Sequence, residues 1–302
     1  MRHFKTISDF HAYRGLPKPQ HPLLSVVNVG TVGPLHAEEP TNLLLDFYTL
    51  SVKRMRNVKA TYGQQPFDFD AGIMSFMAPR QVFSIAAVNQ DEDIEKSGWV
   101  LYIHPDFIWN TPLATTIKQY DFWDYALNES LFLSAKEEAT IMAIVLAIQE
   151  EYEANIDKFS KPIIVSQIES LLNYADRFYH RQFITREKTN HQVLERVETL
   201  LHAYFNSQDL VEKGLPTVRY VAEHLHLSPK YLSSLLRVLT GQNTQQHIHA
   251  KLIEKAKERL STTSLTVSEI AYELGFEHLQ SFSKLFKAKT KLSPLEFRTS
   301  FN

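Results

Sequence analysis

Two short groups of side chains near the C-terminus carry hydrogen-bonding chemistry on a repeated spacing. The first is Lys230, Ser233, Ser234 and Arg237; the second is Leu279, Gln280, Ser281, Lys284 and Lys287. Each group falls on the outward side of an amphipathic helix. In 228–240 the inward side takes Leu232, Leu235, Leu236 and Leu239, and in the second segment it takes Phe282, Leu285 and Phe286. Gln and Ser side chains can bond to base edges, while Lys and Arg reach guanine or phosphate. Ser and Leu discriminate less, so the pattern predicts modest direct readout.

The elements that must position these groups repeat as well. Val218, Val221-Ala222 and Leu225 match Val267, Ile270-Ala271 and Leu274 at an offset of 49. Leu232, Leu235-Leu236 and Arg237 match Phe282, Leu285-Phe286 and Lys287 at an offset of 50, so one residue is inserted at the second turn. Each copy reads as a short helix, a turn and a second helix. Gly275 supplies a left-handed residue at one turn, and His226, less favourable there, takes the equivalent place at the other. Ser228-Pro229 reads as an N-cap followed by proline at the first helical position. Thr266 with Glu269 reads as a capping box, and Ser293-Pro294-Leu295-Glu296 caps a final short helix. Between the copies, Ile248, Leu252, Ile253, Ala256 and Leu260 stripe a helix over 245–260. Sixteen residues make a rod of about 24 Å. With the breadth of each module added, the two second helices are expected about 34 Å apart, one turn of DNA.

Charge sharpens the division. From Thr217 to Asn302 there are 12 Lys+Arg against 7 Asp+Glu, a net of +5, whereas 1–216 holds 20 against 27, a net of −7. A cationic tail on an anionic body suits a phosphate-bearing partner.

Other chemistries lack their residues. With 302 residues, two domains are expected. The chain has no cysteine, which removes disulfides, thiolate nucleophiles and cysteine–zinc or iron–sulfur sites, and also excludes repair by methyl acceptance. Neither a GxGxxG nor a GxxxxGK[ST] motif occurs, nor HExxH or a serine nucleophile elbow. No secretory leader and no membrane span are read, so a cytoplasmic location is expected. His36 and His104 stand alone. The pairs His224/His226 and His247/His249 share no face suited to a metal. Neither a metal nor a cofactor is therefore expected. Asp91-Glu92-Asp93 reads as a solvated loop.

The N-terminal half has its own pattern. Residues 1–22, with Pro17, Pro19 and Pro22, read as a loosely packed lead-in. Strands are predicted in 23–29, 43–52, 73–77, 81–88 and 99–104, as a sandwich or small barrel. Ser134 and Glu137 form a capping box for a helix striped by Ile141, Ile144, Val145, Ile148 and Tyr152. After a break at 159–162, Ile164, Ile168, Leu171, Leu172, Ala175, Phe178 and Tyr179 stripe a second helix. This hairpin, over about 134–184, can cover the β domain, pair with a second copy, or do both. Polar residues 185–190 mark the expected boundary between a domain over 1–185 and an all-helical one over 191–302, whose first helix carries Val193, Val197, Leu200, Leu201 and Tyr204. Aromatics are dense in the body: Phe47, Tyr48, Phe67, Phe69, Phe76, Phe83, Trp99, Tyr102, Phe107, Trp109, Phe122 and Trp123. They read first as core, and second as the lining of an apolar pocket in which Arg54, Arg80 and His104 would anchor an anion.

The C-terminal motifs resemble those of the AraC/XylS family of bacterial transcription regulators. The likeness covers Val193 to Phe301 and is carried by Ile270-Ala271, Leu274-Gly275-Phe276, the run Ser281 to Lys287, Ser293-Pro294 and Phe297-Arg298. Lys291 departs from the family's usual glycine, which the first copy keeps as Gly241. Lys284 stands where many members have arginine, losing a bidentate geometry. The resemblance implies an α+β protein: a cupin-like β-barrel with a helical hairpin, then an all-α domain with two helix-turn-helix modules. It implies double-stranded DNA as partner, a small-molecule effector, a homodimer through the helices at 134–184, and RNA polymerase where the protein activates. Its base-reading positions fall on Lys230, Ser233 and Ser234, then Leu279, Gln280, Ser281 and Lys284. A cupin-type enzyme with a helical localisation or assembly tail is the alternative reading.

Overall fold

In the computed structural model, the residues described are 1–31, 41–55, 60–62, 65–67, 72–85, 96–126, 129–154, 157–185 and 187–300. His36, Phe69 and Asp91-Glu92-Asp93 lie outside them, as do the side chains of Arg54 and Phe67. The chain divides into two compact units, Met1–Gln182 and Phe183–Asn302.

The first unit begins with β1 (Arg2–Phe4) and α1 (Ile7–Arg14), then β2 (Leu24–Asn28), β3 (Thr41–Leu45), β4 (Tyr48–Met55), β5 (Ala60–Tyr62), β6 (Gln65–Phe67), β7 (Ile73–Met77), β8 (Val82–Ile85) and β9 (Lys96–Ile103). Short helices α2 (Pro105–Ile108) and α3 (Leu113–Thr116) lead to β10 (Leu131–Phe132), α4 (Ala135–Glu153) and α5 (Ser160–Thr185).

The lead-in is not loose. Thr6 caps α1 by accepting from the Asp9 amide, Gly15 ends it in the left-handed region, and Ile7 and Phe10 are buried. Three nearby prolines mask an eight-residue helix whose stripe is too short to register as a period. The predicted strand over 43–52 is two strands, broken at Asp46-Phe47; Phe47 turns into the core and Asp46 accepts from His3 Nε2 at 2.9 Å.

The described strands form a five-stranded sheet in the order β10-β7-β4-β9-β2, a three-stranded sheet β1-β3-β8, and the hairpin β5-β6. Among the described residues no ladder joins the sheets into a closed barrel, and the unit is a mixed α+β assembly. The two larger sheets meet through side chains instead: Leu43 and Leu45 of β3 pack with Val27, Val100 and Tyr102 of the five-stranded sheet, and Phe10 and Phe47 fill the centre. Most of the aromatics are core, as in the edge-on contacts of Phe47 with Phe10 and Tyr102 and the contacts of Phe76 with Phe122 and Trp123. Trp109 is the exception, being 65% exposed. Arg80 is exposed beside Asp46, and the His104 ring caps α2.

The Ser134–Glu137 capping box is present. Ile141, Val145, Ile148 and Tyr152 of α4 are buried, as is the whole predicted stripe of α5; Ile144 is half-buried. The two helices run antiparallel, with Arg181 near the end of α5 donating to Glu137 at the start of α4 at 2.8–2.9 Å. Pro162 sits in the first turn of α5, where a missing N–H removes no helical bond.

Candidate nucleic-acid interface

The second unit is helical throughout its described residues. It contains α6 (Glu187–Phe205), α7 (Asp209–Lys213), α8 (Val218–Leu225), α9 (Pro229–Thr240), α10 (Thr244–Thr262), α11 (Val267–Glu273), α12 (Leu279–Thr290) and α13 (Pro294–Thr299). One core runs through it, from Val197 and Leu201 of α6, through Ile248, Leu252 and Ala256 of α10, to Phe282 and Phe286 of α12.

The first helix and turn of the two modules are held by matching bonds. In the first, Thr217 caps α8 by accepting from the Tyr220 amide; in the second, Thr266 caps α11 by accepting from Glu269. At the first turn, amides of His226 and Leu227 donate to the carbonyls of Glu223 and Ala222. At the second, amides of Gly275 and Phe276 donate to Tyr272 and Ala271, the same closure 49 residues on. This double bond satisfies carbonyls that a helix end leaves open. His226 (φ 59°) and Gly275 (φ 77°) both sit in the left-handed region.

Beyond the turn the offset becomes 50. Ser228 caps α9 by accepting from the Tyr231 amide, with Pro229 at its first position, whereas His278 precedes α12 with no side-chain cap bond. Gly241 and Lys291 end these helices in the left-handed region, donating to the carbonyls of Arg237 and Lys287. Lysine thus adopts here the backbone that glycine takes in the first copy. The Thr240 and Thr290 hydroxyls each donate to a carbonyl four residues back, at 2.8 Å. Asn243 and Ser293 then open capping boxes with Gln246 and Glu296. The repeat therefore runs on through the start of α10 and α13, farther than the apolar stripes alone reveal.

Gly275 has a second role. A Cβ there would lie 2.5 Å from the Leu210 carbonyl oxygen and 2.8 Å from Gly214 Cα, so α7 and its exit press directly on the turn of the second module. Tyr204 holds that exit by donating to the Gly214 carbonyl at 2.9 Å. Nothing in the hydrophobic pattern signalled α7, which spans only five residues.

Outward side chains divide unevenly. On α9, Lys230 and Arg237 are exposed, but Ser233 and Ser234 are half-buried. The Ser233 hydroxyl shares a 3.0 Å hydrogen bond with Thr244 Oγ1, so it is already engaged. Tyr231, which the periodicity did not place, is buried against the ring of Phe183, with centroids 5.1 Å apart. Leu239 and Leu285, expected inside, are half-buried. On α12, Leu279, Gln280, Ser281, Lys284 and Lys287 are all exposed. Ion pairs on this unit include Lys213 with Asp209, Arg219 with Glu223, Lys251 with Glu254, Lys255 with Glu258 and Arg259 with Glu273.

Titratable groups around the modules reflect the same architecture. The Glu269 carboxylate is held below its ordinary range by bonds from the Thr266 amide and hydroxyl, and Glu296 likewise by Ser293 and then by Lys287. His247, whose Nε2 lies 2.8 Å from Thr240 Oγ1, is pushed down by burial. His249 is lowered by burial and by Lys289.

Two linked helix-turn-helix modules, with polar and cationic side chains outward on both second helices, define a helix-turn-helix DNA-binding domain. Residues 221–300 match the family model described as "Helix-turn-helix domain". An uncharacterized HTH-type transcriptional regulator of Bacillus subtilis, YfiF, is 33% identical over 147 residues, 48% of this chain and 43% of its own. The C-terminal domain of the two-component response regulator YesN from Fusobacterium nucleatum is 34% identical, covering 30% of this chain and 92% of that one, with a TM-score of 0.27. An AraC-type transcriptional regulator from Chromobacterium violaceum is 18% identical, covering 37% and 93%, with a TM-score of 0.33. Residues 221–300 thus carry a helix-turn-helix domain similar to that of HTH-type transcriptional regulators. The chain spans under half the length of the curated relatives it matches first. No described helix is long and apolar enough to cross a membrane.

Proposed function

We propose that the chain is a sequence-specific regulator of transcription whose two modules enter successive major grooves on one face of double-stranded DNA. Lys230, Ser234 and Arg237 serve from α9, and Leu279, Gln280, Ser281, Lys284 and Lys287 from α12. Ser233 contributes less, because its hydroxyl is bonded inward. The observation that carries this reading is the residue-by-residue agreement of the two helix-turn-helix backbones, each ending in a second helix with outward donors. Affinity comes mainly from phosphate contacts and specificity from base edges and DNA shape. The unit over 1–182 acts as a cupin-like domain that takes a small-molecule effector and pairs with a second copy through α4 and α5. A dimer would bring four modules to one operator and multiply weak contacts by effective concentration. Contact with RNA polymerase follows if the protein activates.

The test is selection of duplexes from a random pool by the full chain, followed by a mobility shift on the enriched site at rising salt. An enriched site is expected, with affinity falling roughly 1,000-fold or more between 50 and 200 mM salt if six or more phosphates are contacted. A pool that stays random, or binding indifferent to salt, would overturn the reading.

A further inference from the structure

The second helices of the two modules begin with different chemistry. The Ser228-Pro229 pair that opens α9 becomes His278-Leu279 at the start of α12, at an offset of 50. A serine cap and a proline at the first position both favour the start of a helix. The second copy keeps neither: His278 makes no side-chain cap bond, and leucine stands in the place of proline. Leu279 does not compensate by filling the core. It is 38% exposed, whereas Phe282 and Phe286 fill the inward side of α12 and are fully buried. Among the described residues of α9 and α12, no other large apolar side chain is exposed.

The surroundings of this leucine are polar. Gln280, Ser281 and Lys284, its neighbours on the outward side, are all exposed. The next exposed leucines along the chain, Leu292 and Leu295, lie beyond the far end of a twelve-residue helix about 18 Å long. Leu279 is therefore a single apolar group on a polar and cationic face, not part of an apolar patch that a protein partner would cover. Its position is informative as well. The N-terminal residues of the second helix are those that meet base edges in the major groove. Helical side chains lean toward the N-terminus, so Leu279 leans toward whatever faces that end. Leucine has no donor or acceptor. Pressed against a polar base edge or a phosphate, it would displace water and return no hydrogen bond. Thymine alone among the four bases presents a methyl group in the major groove.

We infer that Leu279 is a specificity-determining residue that reads a thymine, closing on its C5 methyl at the base pair facing the first turn of α12. The inference rests on the reading of this domain as a sequence-specific DNA binder and names one base of its operator. The contact removes apolar surface of both partners from water. Burial of about one methyl group corresponds to a change of about fourfold in affinity. Uracil differs from thymine by that methyl alone and pairs identically. The contact can therefore be deleted from the DNA without disturbing a hydrogen bond or the protein.

The test uses the full chain and a duplex enriched from a random pool. Each thymine of the duplex is replaced in turn by uracil, and affinity is titrated for the wild type, Leu279→Ala and Gln280→Ala. One replacement is expected to weaken the wild type about fourfold. Leu279→Ala should bind the thymine duplex more weakly than the wild type does and be indifferent to that replacement, whereas Gln280→Ala should keep the sensitivity. The wild-type series needs no variant, so it decides the matter even if a substitution disturbs folding. Affinity unchanged by uracil at every position, a loss that persists undiminished in Leu279→Ala, or an enriched site without thymine would overturn the inference. Failure of the two readings is distinguishable. A pool from which no duplex is enriched sinks the DNA-binding reading and this one with it. A duplex bound tightly with or without its methyl groups sinks the role of Leu279 alone.

Discussion

The two helix-turn-helix modules share a backbone and differ in how much of their outward face is free. The first is fastened: Ser228 caps α9, proline stiffens its start, Tyr231 is buried and Ser233 bonds inward to Thr244. The second has no side-chain cap at His278, yet all five of its candidate reading residues are exposed. Rigidity and exposed recognition chemistry have thus been distributed between two copies of one design. Two left-handed glycines at different places in the modules also differ: Gly241, at the end of α9, is open, an added Cβ meeting nothing within 4 Å, while Gly275, in the turn of the second module, is clamped by backbone atoms of α7 and Gly214.

The largest test of this contrast is structural. Gly275→Ala forces a Cβ into the Leu210 carbonyl at positive φ and is expected to cost about 3 kcal/mol or more. Gly241→Ala shares the backbone strain without the collision and should cost about 1 kcal/mol. Denaturant unfolding of both variants measures the difference; equal costs would show that α7 does not clamp the turn.

Next comes recognition. Gln280→Ala and Lys284→Ala are each expected to weaken binding to a selected site by about 1–3 kcal/mol, with Lys284→Ala also lowering the salt slope by about one. Lys230→Ala and Ser233→Ala should each cost less, because α9 exposes fewer groups. Titrations of the four variants on one duplex decide the ranking, and a larger loss from α9 would invert the comparison.

The smallest effect is expected at Lys291. Lys291→Gly relieves a left-handed lysine at φ 69° and should stabilise the unit by about 0.5–1 kcal/mol, measured as a rise in melting temperature.

What was legible in the sequence was local. Caps such as Ser134–Glu137 and Thr266–Glu269 are fixed by neighbours within four residues, so they could be read directly. The module repeat was legible for the same reason. Contacts between distant segments were not. Nothing near Gly275 announces that Gly214 lies against it, and nothing in residues 43–52 shows that the chain turns at Asp46 and then presents Thr49 and Ser51 to another sheet. Alpha helix 7 and α1 were missed because five and eight residues hold too few turns for a period to emerge. Ser233 was assigned outward by helical phase, which cannot see a threonine eleven residues later folding back to meet it.

One consequence follows from α10, whose start repeats that of α13 and whose buried Ile248, Leu252, Ala256 and Leu260 belong to the common core. Inserting one residue would swing everything beyond it by about 100° and tear that stripe from its neighbours. The stride between the probes therefore cannot be adjusted gradually. It can lengthen only in steps of about seven residues, near two full turns and some 10 Å, so descendants of this chain must adapt to a new operator through side chains or jump a whole step at once.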